Sequence, residues 1–291
     1  MKLDAYVTAL HALKEDDRLR GLKPRTGVDF ASNDYLALAS AYESGRGRGW
    51  HADRSRRVGL LRGNREEHES LQAEAVSFFG ARTAIFFGVG YIPNFAHLTT
   101  LPQRGDLLVL DSLVHASVHE GACAGRAEFQ ISVHNDSCSV ENIIRDWRPK
   151  GGIGRAWIVV ESLYSMDGDF APLEDLVAIA DRYDAFLIVD EAHATGVYGE
   201  QGRELTGPYE GRENLLVVHT CGKALSAAGA LHCMRCAARF HGQSLSSIHL
   251  RRRTLVLDGH RRAGSAVDPA GGVRASAASG QARRVYASAD A

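Results

Sequence analysis

The chain has 291 residues, 45% of them hydrophobic, and a formal net charge of -1. This length and apolar content can bury one large core or two ordinary ones, and the near-zero charge argues against general nucleic-acid or membrane-surface binding. With no apolar run of spanning length, no signal-peptide core and five irregularly spaced cysteines, we expect a soluble cytoplasmic protein with reduced thiols.

The N-terminal segment, residues 1–15, is predicted to form an amphipathic helix that packs on its own body or on a partner subunit. Its apolar residues recur at helical spacing, at Leu3, Tyr6, Val7, Leu10 and Leu13. Residues 28–36 follow as a short strand that runs into a polar turn. Residues 1–40 therefore form a helix and a lead-in strand.

The next segment, residues 41–58, differs from its neighbours in composition and in hydrophobic pattern. It mixes glycine and arginine without an apolar period, and it is long for a loop inside a compact domain. Helix formers return at 66–79, where the apolar positions Leu71, Ala75 and Phe78 precede Gly80, so a helix is predicted there.

Beyond this helix an α/β rhythm is regular. Strand-like runs lie at 84–87, 107–110, 129–133, 156–161, 186–190 and 215–218, mostly separated by helical patterns. The sequence therefore predicts an α/β fold with a doubly wound, mainly parallel sheet flanked by helices.

Two of these strand-like runs are followed by polar side chains of the kinds that take part in catalysis. Asp190 and His193 follow one run, and Thr220 and Lys223 follow the next. Since ligands of open α/β sheets bind at the carboxyl ends of strands, these side chains are expected to converge. In the alternative interpretation Asp190 only caps a helix and Lys223 is a solvated surface lysine.

Two chemistries could use this convergence. Asp-Glu-Ala-His at 190–193 is similar to a helicase Walker B element, but the phosphate loop that nucleotide hydrolysis needs is missing before Lys223. Pyridoxal phosphate (PLP) chemistry instead needs a lysine for the cofactor aldehyde and an aspartate for the pyridine nitrogen. Lys223 and Asp190 suit those roles.

Other loops carry weaker signals. Gly-Val-Gly-Tyr at 88–91 could present backbone amides to a phosphate. His115 and His119 have metal-ligand spacing, yet no third ligand accompanies them, and we predict no metal site. The loop at 161–169 is rich in hydroxyls and acids.

Taken together, five motifs resemble those of the α-oxoamine synthases, fold-type-I PLP enzymes related to the class II aminotransferases. They are Ser-Asn-Asp-Tyr-Leu at 32–36, Leu-Arg-Gly-Asn at 61–64, Glu-Ser-Leu-Tyr-Ser-Met-Asp-Gly-Asp at 161–169, Asp-Glu-Ala-His-Ala-Thr-Gly at 190–196 and Thr-Cys-Gly-Lys-Ala-Leu at 220–225. The resemblance implies a homodimeric acyltransferase that condenses an amino acid with an acyl thioester and releases carbon dioxide. It is strongest to the biotin-biosynthesis branch, which joins L-alanine to pimeloyl-CoA or a pimeloyl-carrier protein. 2-Amino-3-ketobutyrate ligase and 5-aminolevulinate synthase are the near alternatives.

The resemblance also implies a role for individual residues. Lys223 would bind PLP and then remove the Cα proton, Asp190 would keep the pyridine nitrogen protonated, and His115 would stack on the ring. The other implied cofactor contacts are Ser165 and His193 at the phenolic oxygen and Gly90, Tyr91 and Thr220 at the phosphate. Arg20 and Asn33 are implied to bind substrate.

The chain departs from the family pattern in three places. Val89 stands where the family has serine, residues 41–58 match no family segment, and after Leu231 the pattern stops in a tail rich in arginine. We therefore assign the PLP-binding large domain to 59–231, and an irregular, low-order basic tail to 232–291 in place of the family's small domain, as a reading-frame shift would produce. A zinc site at Cys233 and Cys236 lacks a second ligand pair, and the arginine clusters lack a nucleic-acid motif.

The family places the arginine that grips the substrate carboxylate in the small domain. Without that clamp we expect activity near zero, because orientation of the reacting bond is worth on the order of a thousandfold in rate. A non-catalytic relic is therefore the alternative to an active PLP acyltransferase.

Overall fold

The fold was analysed in a computed structural model, which describes residues 4–16, 19, 32–38, 66–209, 212–227 and 229–234. Its Cα packing divides the chain into two units, 1–32 and 33–291. The whole predicted loop at 41–58 and most of the predicted tail at 232–291 lie outside the described residues. No helix in the described residues is both long and apolar enough to cross a membrane.

The first unit contains helix α1, Asp4–Glu15, so the prediction of an N-terminal helix is confirmed. Its apolar side chains Val7, Leu10 and Leu13 are exposed within the chain. The packing of this helix on a partner subunit stays a prediction. The strand predicted at 28–36 falls mainly outside the described residues, and 33–36 form turns.

The second unit is built from five helices and seven strands in the described residues. The helices are α2 (Glu66–Phe78), α3 (Tyr91–Thr100), α4 (Ala116–Ala124), α5 (Ser137–Trp147) and α6 (Leu173–Arg182). The strands are β1 (Thr83–Phe87), β2 (Leu107–Asp111), β3 (Glu128–Ser132), β4 (Ala156–Glu161), β5 (Phe186–Asp190), β6 (Leu215–Thr220) and β7 (Ala230–Met234). Short 3-10 turns lie at Arg148–Lys150, Glu200–Gly202 and Gly207–Tyr209. All six predicted strands and the helix at 66–79 are confirmed.

The strands form one sheet in the order β1-β7-β6-β5-β4-β2-β3. β3, β2, β4, β5 and β6 pair in parallel, while β7 pairs antiparallel with both β1 and β6. The mainly parallel sheet flanked by helices is confirmed. Strand β7 was not predicted, and its pairing runs to Met234, beyond the large-domain boundary that the sequence placed at Leu231.

The central strands are apolar because helices cover the sheet. Every residue of β2, β4 and β6 is buried, whereas the edge strand β3 is exposed except at Ser132. Continuous apolar runs are what a parallel sheet with covered faces requires. Helix α6 carries Glu174 and Asp175 in its first turn and Arg182 in its last, which matches the helix dipole.

A buried polar network lies between β6 and the loop after β5. It consists of Ser162, Glu191, Thr195, Glu204 and His219. His219 Nε2 lies 3.0 Å from Glu204 Oε2, and Nδ1 lies 2.9 Å from Thr195 Oγ1. Thr195 donates its proton to the Glu191 carbonyl at 2.8 Å, so it accepts from Nδ1. Nδ1 of His219 therefore donates to Thr195, while Nε2 and Oε2 of Glu204 form an ion pair. Burial would lower the pKa of His219, but the charge of Glu204 leads the contacts that raise it to about 10.

Glu191 occupies the centre of this network. Its carboxylate accepts the backbone amides of Leu205 and Thr206 at 3.1 Å and 2.8 Å, and the Ser162 hydroxyl at 2.8 Å. Burial raises its pKa, while His219 and these donors oppose the shift. The network thus fixes the loop after β5 against β4 and β6.

Strand register decides which side chains meet above the sheet. Glu161 ends β4 directly opposite Asp190, which ends β5, and Asp190 pairs in turn with Val218 of β6. Asp111 ends β2 on the same edge. The parallel strands therefore deliver carboxyl groups to one edge of the sheet, as the sequence predicted for Asp190.

Candidate active site

Asp190 is a buried carboxylate held from two sides. Its Oδ2 accepts Nδ2 of Asn94 at 2.6 Å, and its Oδ1 accepts the backbone amide of Ala192 at 2.9 Å. The second contact lies within a turn, and no helix begins directly after Asp190 in the described residues, so the alternative interpretation of a helix cap is wrong. The first contact comes from helix α3, far along the chain, and fixes the carboxylate orientation at the strand end.

Lys223 lies half-buried in the loop after β6. Burial lowers the pKa of its amine, while the carboxyl groups of Asp190 and Glu161 oppose the shift. Lys223 is thus not a solvated surface lysine, and that alternative is wrong. An amine with a lowered pKa carries more of its neutral, nucleophilic form near neutral pH.

Glu161 is the second carboxyl group beside Lys223. Burial, followed by the charge of Asp190, raises its pKa to about 8, although Lys223 and the backbone amides of His115 and Ser165 oppose the shift. Within the described residues its Oε1 is buried without a hydrogen-bond partner. Glu161, which lies opposite Asp190 at the strand edge, is therefore more readily protonated than an ordinary glutamate.

His193 is placed by the turn at 33–38. Its Nδ1 lies 2.7 Å from the Tyr35 hydroxyl, which also lies 3.2 Å from Oδ1 of Asn33. Burial, followed by the charge of Lys223, lowers the pKa of His193 to about 4. The ring is therefore neutral near neutral pH, and Asn33 is brought to the margin of the site.

The same turn is tied to the Lys223 loop. Ser226 donates its hydroxyl to Oδ1 of Asp34, which also accepts the backbone amide of Leu38 at 3.1 Å. Ser226 has a φ of 47°, a left-handed conformation that a side chain disfavours and that surrounding contacts must hold. The Ser-Asn-Asp-Tyr motif thus supports both His193 and Lys223.

Gly90 and Thr220 face each other at the start of helix α3. A Cβ added to Gly90 would lie 2.8 Å from Oγ1 of Thr220, closer than real Cβ atoms approach. The Thr220 hydroxyl accepts the backbone amide of Gly222 at 3.4 Å. The same hydroxyl donates to the Gly229 carbonyl at 3.4 Å, a long contact that a bound anion would replace. The helix N-terminus, the Gly90 backbone and this hydroxyl could then provide donors for an anion.

His115 caps helix α4. Its Nδ1 accepts the backbone amide of Ser117 at 3.2 Å and lies 2.8 Å from the Ser117 hydroxyl. Its ring lies 6.3 Å from the ring of Tyr91, in an edge-on arrangement. The charges of Lys223, Asp190 and His115 all act on the pKa of His193, so the sequence-predicted catalytic residues lie within electrostatic range of that ring.

Tyr91 and Ser165 have specific surroundings. Tyr91 donates its hydroxyl to Glu120, which raises the pKa of the phenol, so its backbone is the part left for an anion. Ser165 lies in the exposed turn after β4 and donates its backbone amide to Glu161.

The turn that carries Ser165 is anchored by His134. Its Nδ1 lies 2.8 Å from Oδ1 of Asp111, and its Nε2 lies 2.9 Å from Oδ2 of Asp169. These two carboxylates raise the pKa of His134 against the effect of burial. The loop at 161–169 is therefore a fixed element rather than a simple connector.

Sequence reasoning missed four residues of this site. Glu161 and Tyr35 stood inside quoted motifs, but no role was given to them. Asn94 and Ser117 follow Tyr91 and His115 by about one helical turn or less, and helical spacing was the available signal. Arg20, the other implied substrate contact, lies outside the described residues.

The fold and the strand-end site place the chain in a known family. The family model for class I and II aminotransferases matches residues 25–253, and the chain belongs to this family. Among curated relatives it is similar to the 8-amino-7-oxononanoate synthase of Chromobacterium violaceum, with 40% identity over 71% of the chain and 54% of that protein. It is also 40% identical to the synthase of that name from Citrifermentans bemidjiense, over 78% of the chain and 62% of that protein. The chain thus spans roughly half to three-fifths of these relatives.

Solved structures show the same fold. The Sphingomonas wittichii serine palmitoyltransferase superposes with a TM-score of 0.72 over 94% of the chain and 73% of that chain, at 23% identity. The 8-amino-7-oxononanoate synthase of Francisella tularensis superposes with a TM-score of 0.61 over 81% of the chain and 66% of that chain, at 25% identity. The fold-type-I transferase architecture is confirmed.

Proposed function

We infer that this site binds PLP and that the chain is the large-domain part of a PLP-dependent acyltransferase. Three observations fit the cofactor to the residues present. Lys223 is an amine of lowered pKa beside Asp190, the space between Gly90 and Thr220 would be filled by a Cβ, and Glu161 keeps an unpaired buried oxygen. The convergence of Lys223 with Asp190 carries the proposal.

Different residues of the site would contact different parts of the cofactor. Lys223 would hold its aldehyde covalently, and Asp190 would pair with the pyridine nitrogen. Gly90, the backbone of Tyr91 and the Thr220 hydroxyl would bind the phosphate at the α3 N-terminus. His115 would lie against the ring face, and His193 with Ser165 would contact the phenolic oxygen.

Bound PLP would supply an electron sink for the pair of electrons left on the Cα of an amino acid. Lys223, once released from the aldehyde, would accept the Cα proton at Nζ, which its lowered pKa favours. Asp190 would pair with the pyridine nitrogen in the orientation that Asn94 and the Ala192 amide fix by donating to its oxygens. Tyr35 would orient His193 through Nδ1.

The proposed substrates are L-alanine and a pimeloyl thioester, condensed with loss of carbon dioxide to 8-amino-7-oxononanoate in biotin biosynthesis. The names of the relatives support this choice. 2-Amino-3-ketobutyrate ligase or 5-aminolevulinate synthase activity is the alternative within the family, and a panel of glycine and alanine with different acyl-CoA substrates separates them. A homodimer is proposed from the family resemblance.

The test is visible absorbance of the full chain after addition of PLP. We expect a band from covalently held cofactor in the wild type and its loss in Lys223→Ala, because no other described lysine lies at the strand ends. Lys150→Ala, which changes an exposed lysine, is the control and should keep the band. A band retained in Lys223→Ala would refute the assignment, and no band in the folded wild type would favour the non-catalytic relic.

A further inference from the structure

A line of hydrogen bonds connects Asp190 to His115 through two buried residues. Nδ2 of Asn94 lies 2.6 Å from Oδ2 of Asp190 and 3.2 Å from Oγ of Ser117. Oγ of Ser117 lies 2.8 Å from Nδ1 of His115. Asn94 is 3% exposed and Ser117 is fully buried, so solvent does not compete for these contacts.

The close approach of helices α3 and α4 makes this connection possible. A Cβ added to Gly121 of α4 would lie 3.1 Å from both the Cβ of Leu98 and the Cα of Phe95 in α3. Only a residue without a side chain lets the two helices pack this closely without adjustment. Asn94 and Ser117 are thereby brought within hydrogen-bonding distance across the helix pair.

The chemistry of the groups gives the line a direction. The Asn94 amide nitrogen has two protons and can only donate, and an ionised carboxylate can only accept. Ser117 therefore accepts from Asn94 and has its single proton left for His115. Nδ1 of His115 receives this proton and the Ser117 backbone amide, so it has no proton of its own.

We propose that Asn94 and Ser117 are positioning residues that couple the Asp190 carboxylate to His115 and fix His115 as the tautomer protonated at Nε2. The tautomer is a property of the chain alone. Its use, to hold the stacking ring and the nitrogen-pairing carboxylate in one fixed geometry, rests on the proposed function.

The tautomer can be read by NMR of the ring nitrogens in the full chain labelled with 15N-histidine. The His115 signals are assigned by their loss in His115→Gln. We expect Nε2 to be protonated in the wild type. In Asn94→Asp, Ser117 has a new acceptor and turns its proton away from His115, so only the Ser117 backbone amide still donates to Nδ1 and the ring becomes a mixture of the two tautomers. Asn142→Asp, on the exposed side of α5, makes the same chemical change and should leave His115 unaltered.

Ser117→Ala removes a single oxygen and serves as a second variant if Asn94→Asp does not fold. It should leave His115 as a mixture of the two tautomers, because only the backbone amide still donates to Nδ1. A wild-type ring protonated at Nδ1 would overturn the proposal. So would an unchanged tautomer in every folded variant at these two positions.

Cofactor binding separates this proposal from the proposed function. We expect Asn94→Asp to weaken PLP binding on the order of tenfold, the loss typical of one hydrogen bond to a charged group, and Asn142→Asp to leave it unchanged. If the wild type shows the expected tautomer but does not bind PLP, the proposed function fails and the coupling stands. Wild-type binding of PLP without the expected tautomer refutes the coupling alone.

Discussion

Asp190 and Glu191 are neighbours in the chain, yet they belong to two polar clusters of opposite character. Glu191 lies in the buried network, where His219, Glu204 and the loop amides pair the charges. Asp190 lies at the strand edge with Glu161 and Lys223. Burial raises the pKa of Glu161 and lowers that of Lys223, and Oε1 of Glu161 is buried without a hydrogen-bond partner within the described residues. The two clusters share β5 and β6.

The difference shows that burial and charge alone do not mark a functional site. Both clusters contain acids, a histidine and a hydroxyl, and both contain strongly shifted pKa values. Burial is the largest influence on the pKa values in both clusters. In the buried network the His219–Glu204 ion pair and the donors to Glu191 oppose it, and these contacts hold a loop in place. At the strand edge Oε1 of Glu161 has neither an ion-pair nor a hydrogen-bond contact within the described residues, which leaves it available to a ligand.

The substitution with the largest expected effect disrupts the buried network. His219→Leu should lower the free energy of unfolding by about 3–5 kcal/mol, because it leaves Glu204 as an unpaired buried carboxylate. The His219 pKa is raised to about 10, so its contribution is complete below about pH 6.5 and is lost as the pH rises through 10. Urea unfolding at pH 6 and pH 10 checks both statements. Equal destabilisation at the two pH values would contradict the ion pair.

The adjacent carboxyls provide a matched pair of substitutions. Glu191→Gln should cost about 1–3 kcal/mol of stability, since an amide nitrogen would face the donors of Leu205, Thr206 or Ser162. Asp190→Asn should lower stability by a similar amount, since its amide nitrogen would face the donor of Asn94 or of Ala192, but it should also reduce carbanion formation far more than PLP binding. Thermal unfolding and exchange of the alanine Cα proton measure the two effects. An equal rate of Cα-proton exchange in Asp190→Asn and in the wild type would contradict its role.

Glu161→Gln should stabilise the protein at alkaline pH, in contrast to substitutions in the buried network, which should destabilise it. The carboxyl has a pKa raised to about 8, so the wild type loses stability as the pH rises from about 4.5 through 8, where burial opposes ionisation. The neutral amide avoids this loss, and we expect a gain of about 1–2 kcal/mol at pH 9 and little change at pH 4. Unfolding midpoints at both pH values test it. A gain of the same size at pH 4 would point to packing instead.

Tyr35→Phe should have the smallest effect. It removes the 2.7 Å contact to His193, worth about 0.5–1.5 kcal/mol, without changing the ring packing. The His193 ring then loses its orientation, which a change in its NMR line shape would report. Tyr209→Phe is the control, since Tyr209 packs against the core away from the site. An unaltered His193 signal would show that Tyr35 does not position it.

The sequence predicted the strand-end residues because their positions follow from general rules. Asp190 and Lys223 come directly after apolar runs, and the carboxyl ends of parallel strands meet at one edge. It could not predict the contact of Asn94 with Ser117, which depends on the spacing of two helices that Gly121 sets. Strand β7 was missed because its run was interpreted as the start of an aberrant tail. The roles given to His115, Ser165 and Thr220 remain predictions.

The antiparallel edge of the sheet has a consequence for the order of folding. β1 pairs only with β7 within the described sheet, and Thr83 and Met234, which lie opposite each other, are 151 positions apart. Contacts of such separation close late and slow folding, because the loop entropy is lost before the strand pairs. During synthesis β1 therefore waits for its strand partner until almost the whole described chain is made, although helix α2, which precedes it, can already pack against Phe86. Gly90 lies three residues after β1, so its contact with Thr220 is among the last to form. A nascent chain therefore completes the proposed phosphate site of Gly90 and Thr220 only after β7 has left the ribosome.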